Sequence, residues 1–402
     1  MLSNTSHIQI NNPLFKANPF PFYAHLRENA PVLRLPSPYG GSMWLITRYR
    51  DALTVLKNER FVKNQQSILT PEQLAQRPPQ EFNLMASSLL ENDGATHRRL
   101  RSLVHKAFTP QLIEHLRERI QHITTELLDK MVARSGGDLI TDFAFPLPIT
   151  VICEMLGIPV ADRDQFRVWS NMLLDQAGDQ QAEARQQAIM ALVGYLRDAI
   201  EARRAQPHDD LITRLLQVEE AGDQLHDQEL LAMVFLLLVA GHETTVNLIG
   251  SSILALLEHP KQLEKLRRNP ALITTGIEEL LRYTSPVENT TERFTSQDIE
   301  VNGVIIPKGE LVLVSLASAN HDPEQFPDPE TLDLTRSDNK HIAFGLGVHY
   351  CLGAPLARLE ASVALPALLR RLPKLELAVP APKLRWRPSL FVRGLEALPA
   401  HW

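Results

Sequence analysis

The segment from Phe344 to Gly353, Phe-Gly-Leu-Gly-Val-His-Tyr-Cys-Leu-Gly, places one cysteine in a glycine-rich loop. A helix is predicted to begin directly after it, at Ala354, because Pro355 suits a first helical turn. Backbone N–H groups converge at a helix start, and the helix dipole favours negative charge there. Cys351 therefore occupies a position that favours the thiolate, the form of cysteine that reacts and binds metals.

A second unusual segment lies inside a long apolar helix predicted from about Asp227 to Glu258. Its residues 240–245, Ala-Gly-His-Glu-Thr-Thr, put a glycine, a carboxylate and two hydroxyl groups where a helix core should be apolar. A zinc motif H-E-x-x-H is incomplete here, because Val246 stands where the second histidine belongs. Two interpretations remain open: Thr244 bonds back to the carbonyl of Ala240, or the segment is a functional site.

Two charged pairs stand at helical spacing. His97 and Arg101 are four residues apart and share one helix face, where they could donate together to a carboxylate, or could simply be solvated. Glu279 and Arg282 are three apart, a spacing that Glu114 and Arg117 also have by chance. Only the pair at 279 precedes a Ser-Pro break and a block of predicted strands that leads to the cysteine loop.

These motifs together resemble those of the cytochrome P450 superfamily, in family order from residue 93 to 353. The loop matches F-x-x-G-x-H-x-C-x-G, so the resemblance implies haem b with Cys351 as axial ligand of the iron and Phe344 packed against the loop. It also implies that Ala240 lies at the cofactor, and that Glu243 and Thr244 form an acid–alcohol pair over the iron that supports proton delivery to bound dioxygen. The other residues it implies are His97, Arg101, Arg293 and His349 at the haem propionates, and Glu279, Arg282 and Arg336 in a structural charge cluster.

The elements that must position these residues are mostly helical. Periodicity predicts helices over 110–135, 147–156, 163–176, 180–205, 227–258 and 354–371, and strands over 31–47, 290–316 and 374–400. The predicted fold class is mainly α with small antiparallel β-sheets, and the resemblance implies the P450 fold with the long helix over the haem. One domain, 1–402, is expected, with a helix-rich core over about 93–285 and 340–371.

Composition narrows the protein class. The chain has 402 residues and a net charge of -6, which gives no reason to expect nucleic acid. Only Cys153 and Cys351 are present, so a disulfide framework is excluded and a reducing compartment is favoured. The first twenty residues lack a signal-peptide pattern, and the strongly apolar stretch at 230–241 is too short to span a bilayer. We therefore expect a soluble, cytoplasmic monomer without membrane contact.

The resemblance implies a soluble bacterial-type haem-thiolate monooxygenase. Such an enzyme inserts one oxygen atom from O2 into an apolar small molecule, with electrons from NAD(P)H through a separate ferredoxin and reductase. A peroxide-driven enzyme of the same fold and a non-catalytic haem sensor are the alternatives. Both rank lower because neither needs the pair Glu243 and Thr244.

Two predictions concern partners. The basic residues Arg98, Arg99, His105 and Lys106 form a local cationic run that suits an acidic ferredoxin, although charge runs are often merely solvated. The resemblance assigns substrate recognition to the loop 62–92, the helices around 165–195, the segment 287–291 and the turn 390–392. None of these identifies the substrate, so steroid, terpenoid, fatty acid and macrolide remain open.

Overall fold

A computed structural model describes residues 9–37, 40–75, 84–174, 182–220 and 222–402. The α-helices are α1 (Pro13–Ala17), α2 (Phe20–Asn29), α3 (Tyr49–Lys57), α4 (Pro71–Ala75), α5 (Gly94–Ala107), α6 (Pro110–Val132), α7 (Pro146–Leu156), α8 (Arg163–Leu174), α9 (Ala182–Ala205), α10 (Leu211–Gln217), α11 (Asp227–Glu258), α12 (Pro260–Arg268), α13 (Ile273–Thr284), α14 (Leu316–Asn320) and α15 (Ala354–Arg371). The strands are β1 (Val32–Pro36), β2 (Ser42–Ile46), β3 (Phe61–Val62), β4 (Gly136–Asp138), β5 (Glu219–Glu220), β6 (Asp223–Gln224), β7 (Arg293–Thr295), β8 (Ile299–Val301), β9 (Val304–Ile306), β10 (Leu311–Val314), β11 (Glu376–Leu377) and β12 (Pro399–His401). The joint at 177–179 between two predicted helices, and the middle of the predicted loop 62–92, lie outside the described residues.

The long helix α11 has the bounds predicted from the sequence, and its ends have local causes. Glu229 accepts a hydrogen bond of 3.0 Å from the N–H of His226, which satisfies one of the free donors of the first turn. Pro260 follows the last turn, where it cannot continue the helix. The helix is apolar enough for a bilayer, but 67% of its apolar window is buried inside the protein, as in a core helix.

The other helices pack around α11 and form the main hydrophobic core. α7, α9, α13 and α15 contact it directly, and α6 packs along α15. Gly250 lets one neighbour approach closely, since a Cβ there would lie 2.5 Å from Cδ1 of Ile140. The core is thus built around α11, which passes through the helical part of the protein.

The β-structure differs from the prediction in its pairing. β1 and β2 form the predicted antiparallel hairpin, but β10 joins β2 in parallel, and β7 and β3 complete a five-stranded sheet. β8 and β9 form a separate hairpin through a turn at Asn302 and Gly303, both with positive φ. The region 290–316 is therefore divided between two sheets, and 374–400 contains only two short strands with isolated bridges.

A buried charge cluster joins α13 to the segment that leads to the cysteine loop. Arg282 donates to both oxygens of Glu279, at 2.8 and 2.9 Å, and both side chains are fully buried. Arg336 donates to Glu279 at 3.0 Å, and Asn339 adds a further bond of 3.0 Å. Arg282 also donates to the carbonyl of Asn320. The structure thus brings together the three charged residues that the resemblance implied.

Replacement of Arg282 by methionine is expected to destabilise the fold strongly. The change leaves the Glu279 carboxylate buried with only part of its cationic and hydrogen-bonding shell, a loss that costs about 3–5 kcal/mol in free energy of unfolding. Urea unfolding of the two proteins measures the difference. Arg117→Met is the matched control, because Arg117 pairs with Glu114 at the same spacing on the surface. Equal stability of the two variants would contradict the proposed role of the cluster.

Candidate functional site

The loop that carries Cys351 is a tight turn held by its own backbone. The N–H of Cys351 donates to the carbonyl of Phe344 over 3.0 Å. Gly347 has a φ of 77°, and a Cβ there would lie 2.7 Å from the carbonyl oxygen of Leu56. A side chain at this position would collide with backbone, which explains why the sequence has glycine.

The sulfur of Cys351 is accessible and receives hydrogen bonds from the start of α15, donated by the N–H groups of Gly353 and Ala354. Desolvation by the surrounding protein outweighs these amides and the cations Arg101 and Arg358, so the pKa of the thiol is raised from its usual value in the protein alone. The donors stand where the sequence predicted them. Because coordination displaces the proton of a thiol, a metal ion at this sulfur would bind the thiolate.

Arg358, which the sequence motifs do not single out, supports the loop from α15. Its guanidinium lies over the ring of Phe344, 4.5 Å from the centroid, and it donates to both oxygens of Glu278 at 2.7 Å. His341 lies 2.9 Å from the same carboxylate. The available signal was its position, since Arg358 stands one helical turn after the predicted helix start at Ala354.

Three of the four residues predicted at the haem propionates have buried nitrogen atoms without a hydrogen-bond partner. Among the described residues these are both ring nitrogens of His97, Nδ1 of His349 and Nε of Arg293. The rings of His97 and His349 are 4.3 Å apart. Arg101 differs, because its guanidinium donates to the loop carbonyls of Val348 and Tyr350 at 2.9 and 2.7 Å.

Burial lowers the pKa values of the cationic groups in this cluster. Burial, with the charges of His349 and Arg101, lowers the pKa of His97 to about 4. Burial likewise lowers the pKa of Arg293 to about 10. Lys63, which the sequence reasoning missed, is a further buried cation here, and burial together with Arg293 lowers its pKa to about 7. An anionic group placed against these residues would be stabilised by them.

The middle of the central helix α11 has a narrow accessible stripe along one side. Ala240 is exposed, and Gly241 and Thr244 are half-buried, while the residues between them and on the opposite face are buried. The hydroxyl of Thr244 donates to the carbonyl of Ala240 over 2.9 Å, so the back-bonded interpretation of this threonine is observed. Because the flanking turns of α11 are packed in the core, we infer that this accessible stripe faces an internal space.

Glu243 lies on a different side of α11 from the Thr244 hydroxyl. Its carboxylate is buried and accepts a bond of 3.0 Å from Arg387, an arginine that the sequence motifs do not single out. His242 is also buried, and burial lowers its pKa, so its ring is neutral and can donate from Nδ1 to the carbonyl of Leu238 at 2.7 Å. The predicted acid–alcohol pair is thus divided: only the alcohol faces the accessible stripe.

The two C-terminal segments predicted to recognise substrate lie side by side. Val287 and Val392 form an antiparallel bridge, and the side-chain amide of Asn289 donates to the carbonyl of Leu390 over 2.7 Å. The other predicted recognition segments, 62–92 and 165–195, fall partly outside the described residues. The structure therefore joins 287–291 to 390–392 as one unit.

Comparisons with known proteins match nearly the whole chain. The family model described as Cytochrome P450 matches residues 154–378. Cytochrome P450 107B1 of Saccharopolyspora erythraea is 50% identical over 381 residues, 94% of this chain and 93% of its own. The polyketide biosynthesis cytochrome P450 PksS of Bacillus subtilis is 44% identical over 389 residues, 96% of both chains. The crystal structure of myxobacterial cytochrome P450 CYP267B1 in complex with myristic acid has a TM-score of 0.92 at 41% identity, and covers 98% of this chain and 99% of that one.

Haem b is the cofactor of the proteins matched, and the residues present here fit it. Cys351, which is exposed, would hold the iron through its sulfur, and the unpartnered nitrogens of His97, His349 and Arg293 would hold the propionate carboxylates. Ala240 on the accessible stripe has a side chain small enough for a flat ring to approach. The roles of these individual residues stay predictions.

Cys351→Ser is expected to abolish the red-shifted absorbance of the reduced carbon-monoxide complex, because only a thiolate ligand produces it. Cys153→Ser is the matched control: Cys153 is fully buried in the core, and burial raises its pKa to about 12, so it is not a thiolate. The measurement is a difference spectrum of each purified variant. Loss of the signal in Cys153→Ser with retention in Cys351→Ser would reverse the assignment.

Proposed function

Because the chain belongs to the cytochrome P450 family and is a haem monooxygenase, we propose that it hydroxylates or epoxidises an apolar small molecule with electrons from a separate ferredoxin and reductase. Haem bound through Cys351 would supply the activation of O2. The observation that carries the proposal is the accessible Thr244 hydroxyl in the middle of the buried helix α11. A soluble monomer of one domain in the cytoplasm is part of the same proposal.

The Thr244 hydroxyl can pass protons because of how it is held. Its hydrogen is directed to the carbonyl of Ala240, which leaves the oxygen lone pairs free to accept a hydrogen bond from the internal space. Rotation about the Cβ–Oγ1 bond turns the hydrogen from the carbonyl of Ala240 toward the internal space, so the hydroxyl can donate there without displacing the helix. A threonine that carried only a packing role would not need to stand on the accessible stripe.

Glu243 would act indirectly, because it lies on a different side of α11 from the Thr244 hydroxyl. Its carboxylate is buried and forms an ion pair with Arg387. When that ion pair opens, the carboxylate can turn and exchange a proton with water, so Arg387 controls the availability of the acid. This arrangement favours a monooxygenase over the two alternatives, since neither a peroxide-driven enzyme nor a haem sensor requires protons on this face.

The substrate class that the relatives favour is a polyketide-derived compound. PksS is described as an enzyme of polyketide biosynthesis, whereas CYP267B1 was crystallised with a fatty acid. The paired segments 287–291 and 390–392 contribute the bridged residues Val287 and Val392, whose apolar side chains suit a large apolar ligand. Titration with a macrolactone and with myristic acid, followed by the haem absorbance shift, separates the two classes.

The surface predicted to bind ferredoxin keeps three of its four residues. Arg98, His105 and Lys106 are exposed. Arg99 is excluded, because it forms ion pairs with Asp223 and Glu229 and so belongs to the fold. Val348 of the cysteine loop is half exposed and, with Arg98 and His105, lines the same surface depression, so the cationic patch borders the loop. Long-range attraction would therefore deliver an acidic protein close to the haem edge.

Thr244→Ala is expected to fold and bind haem normally but to yield about tenfold less product for each NADPH consumed, with the rest appearing as hydrogen peroxide. The reason is that proton delivery then depends on unplaced water. Oxygen, peroxide and product are measured together with surrogate ferredoxin and reductase. Thr245→Ala removes the same atoms from the neighbouring buried threonine and should stay coupled. Unchanged coupling in Thr244→Ala would remove the proposed role.

The double variant Arg98→Glu with Lys106→Glu should slow reduction by ferredoxin about tenfold at low ionic strength and weaken its salt dependence. Stopped-flow mixing with reduced ferredoxin measures the rate at several salt concentrations. Lys261→Glu with Lys308→Glu makes the same change in net charge at exposed sites elsewhere. Equal rates and equal salt slopes in the two double variants would place docking on another surface.

A further inference from the structure

A buried ion pair links the N-terminal helix α1 to the segment 287–291. Nζ of Lys16 lies 2.6 Å from Oε2 of Glu288, and both side chains are fully buried. The hydroxyl of Tyr23, also fully buried, donates to the other carboxylate oxygen. These partners are 272 and 265 residues apart in sequence. Among the described residues, the two hydrogen bonds to the carboxylate of Glu288 therefore both come from the N-terminal segment.

Arg393, from the C-terminal part of the chain, binds the backbone at the end of α1. Nε of Arg393 donates to the carbonyl of Lys16 at 2.9 Å, and its second terminal nitrogen lies 3.4 Å from the carbonyl of Ala17. The guanidinium stacks on Trp386, 3.7 Å from the ring centroid. Lys16 is thus fixed through its backbone as well as its ammonium group.

The backbone of Glu288 is paired with the predicted substrate turn. Its N–H donates to the carbonyl of Phe391 over 2.8 Å, and its own carbonyl accepts from Ala317 over 3.1 Å. The N–H of Arg393 donates to the carbonyl of Pro286 over 2.9 Å. Any displacement of Glu288 must therefore move 286–289 and the turn around Phe391 together.

Alternation along this extended segment separates its two faces. Successive side chains of an extended chain point to opposite sides, so the side chain of Glu288 points to the N-terminal cluster and that of Val287 points away. Val287 packs with a different hydrophobic cluster from the one that contains Tyr23. Glu288 thus fixes the strip 286–289 from one side, while Val287 presents an apolar side chain on the other side.

Charge explains why the position of Glu288 depends on Lys16. A buried carboxylate that loses its cation must either take up a proton or move toward water. Burial lowers the pKa of Lys16, and the charge of Glu288 opposes that shift. The remaining cation, Arg393, is engaged with backbone carbonyls and Trp386.

We propose that Lys16 is a positioning residue that determines substrate specificity, because its ion pair with Glu288 sets the place of the strip 286–289 and of the turn 390–392. The inference rests on the proposed function, which assigns both segments to the substrate pocket. It adds a specificity determinant located in the N-terminal helix, away from the reacting atoms.

Lys16→Met tests the proposal with two azoles that bind haem iron, imidazole and the much larger clotrimazole. Imidazole needs little of the pocket wall, so its dissociation constant should change less than about twofold, while that of clotrimazole should rise about tenfold. Both constants are measured by the haem absorbance shift. The ratio of the two constants, unlike stability, does not change when the protein is merely less stable.

Two further variants make the result decisive. Lys16→Met with Glu288→Gln removes both charges and should restore the ratio toward the wild-type value, and Tyr23→Phe should shift it in the same direction as Lys16→Met by a smaller factor. Arg203→Met is the matched control, because Arg203 pairs with the buried Asp210 between other helices. An unchanged ratio in both Lys16→Met and Tyr23→Phe would overturn the proposal, and so would an equal shift in Arg203→Met.

Failure of the proposed function gives a different result. If the protein bound both azoles with the expected ratios but oxidised no substrate with ferredoxin and reductase, the monooxygenase proposal would fail and the role of Lys16 in shaping the pocket would stand. If Tyr23→Phe folded and bound clotrimazole as the wild type does, while Lys16→Met did not fold, the positioning role would be rejected in favour of a purely structural one.

Discussion

Two adjacent carboxylates on α13, Glu278 and Glu279, hold the chain that leads to Cys351. Glu279 binds Arg282 and Arg336, and so fixes the segment before the loop. Glu278 binds Arg358, whose guanidinium lies over the loop residue Phe344. Because neighbouring residues on a helix point about 100° apart, one turn of α13 secures the loop from two directions.

This anchoring is independent of pH in the physiological range. Burial opposes the charge of Glu278, but the hydrogen bonds from Arg358 and His341 outweigh it and lower the pKa of the carboxyl to about 2 from a usual value of 4.5. A folded-state pKa below the unfolded one adds stability that is present above pH 4.5 and is lost as pH falls toward 2. The ion pair of Glu278 with Arg358, which supports the cysteine loop, therefore does not change with pH near neutrality.

Local patterns in the sequence predicted the parts of the site that depend on short spacing. The loop with Cys351, the bounds of α11 and the hairpin β1–β2 follow from glycine positions, capping and alternation within a few residues. The sequence could not predict the parallel pairing of β10 with β2, because both strands have patterns that suit either direction. The partners of Glu243, Glu288 and Arg99 were also missed, since they lie more than a hundred residues away in sequence.

Arg99 shows why a charge run does not define a surface. It stands among basic residues that are exposed, yet it pairs with Asp223 and Glu229 near the start of α11. Helical periodicity places Arg98 and Arg99 on different faces, but only the packing of α5 against the rest of the fold decides which face meets water. Sequence alone therefore predicts that a cationic patch exists more reliably than it predicts which residues belong to it.

The unpartnered nitrogens beside the cysteine loop connect folding to cofactor binding. Buried donors without acceptors cost free energy, and His97, His349 and Arg293 all carry such atoms in the protein alone. Two propionate carboxylates would supply the missing acceptors, so that free energy returns as affinity for haem. A ligand that binds only the folded state stabilises it by mass action. If these residues hold the propionates, haem binding completes the hydrogen bonding of this part of the fold.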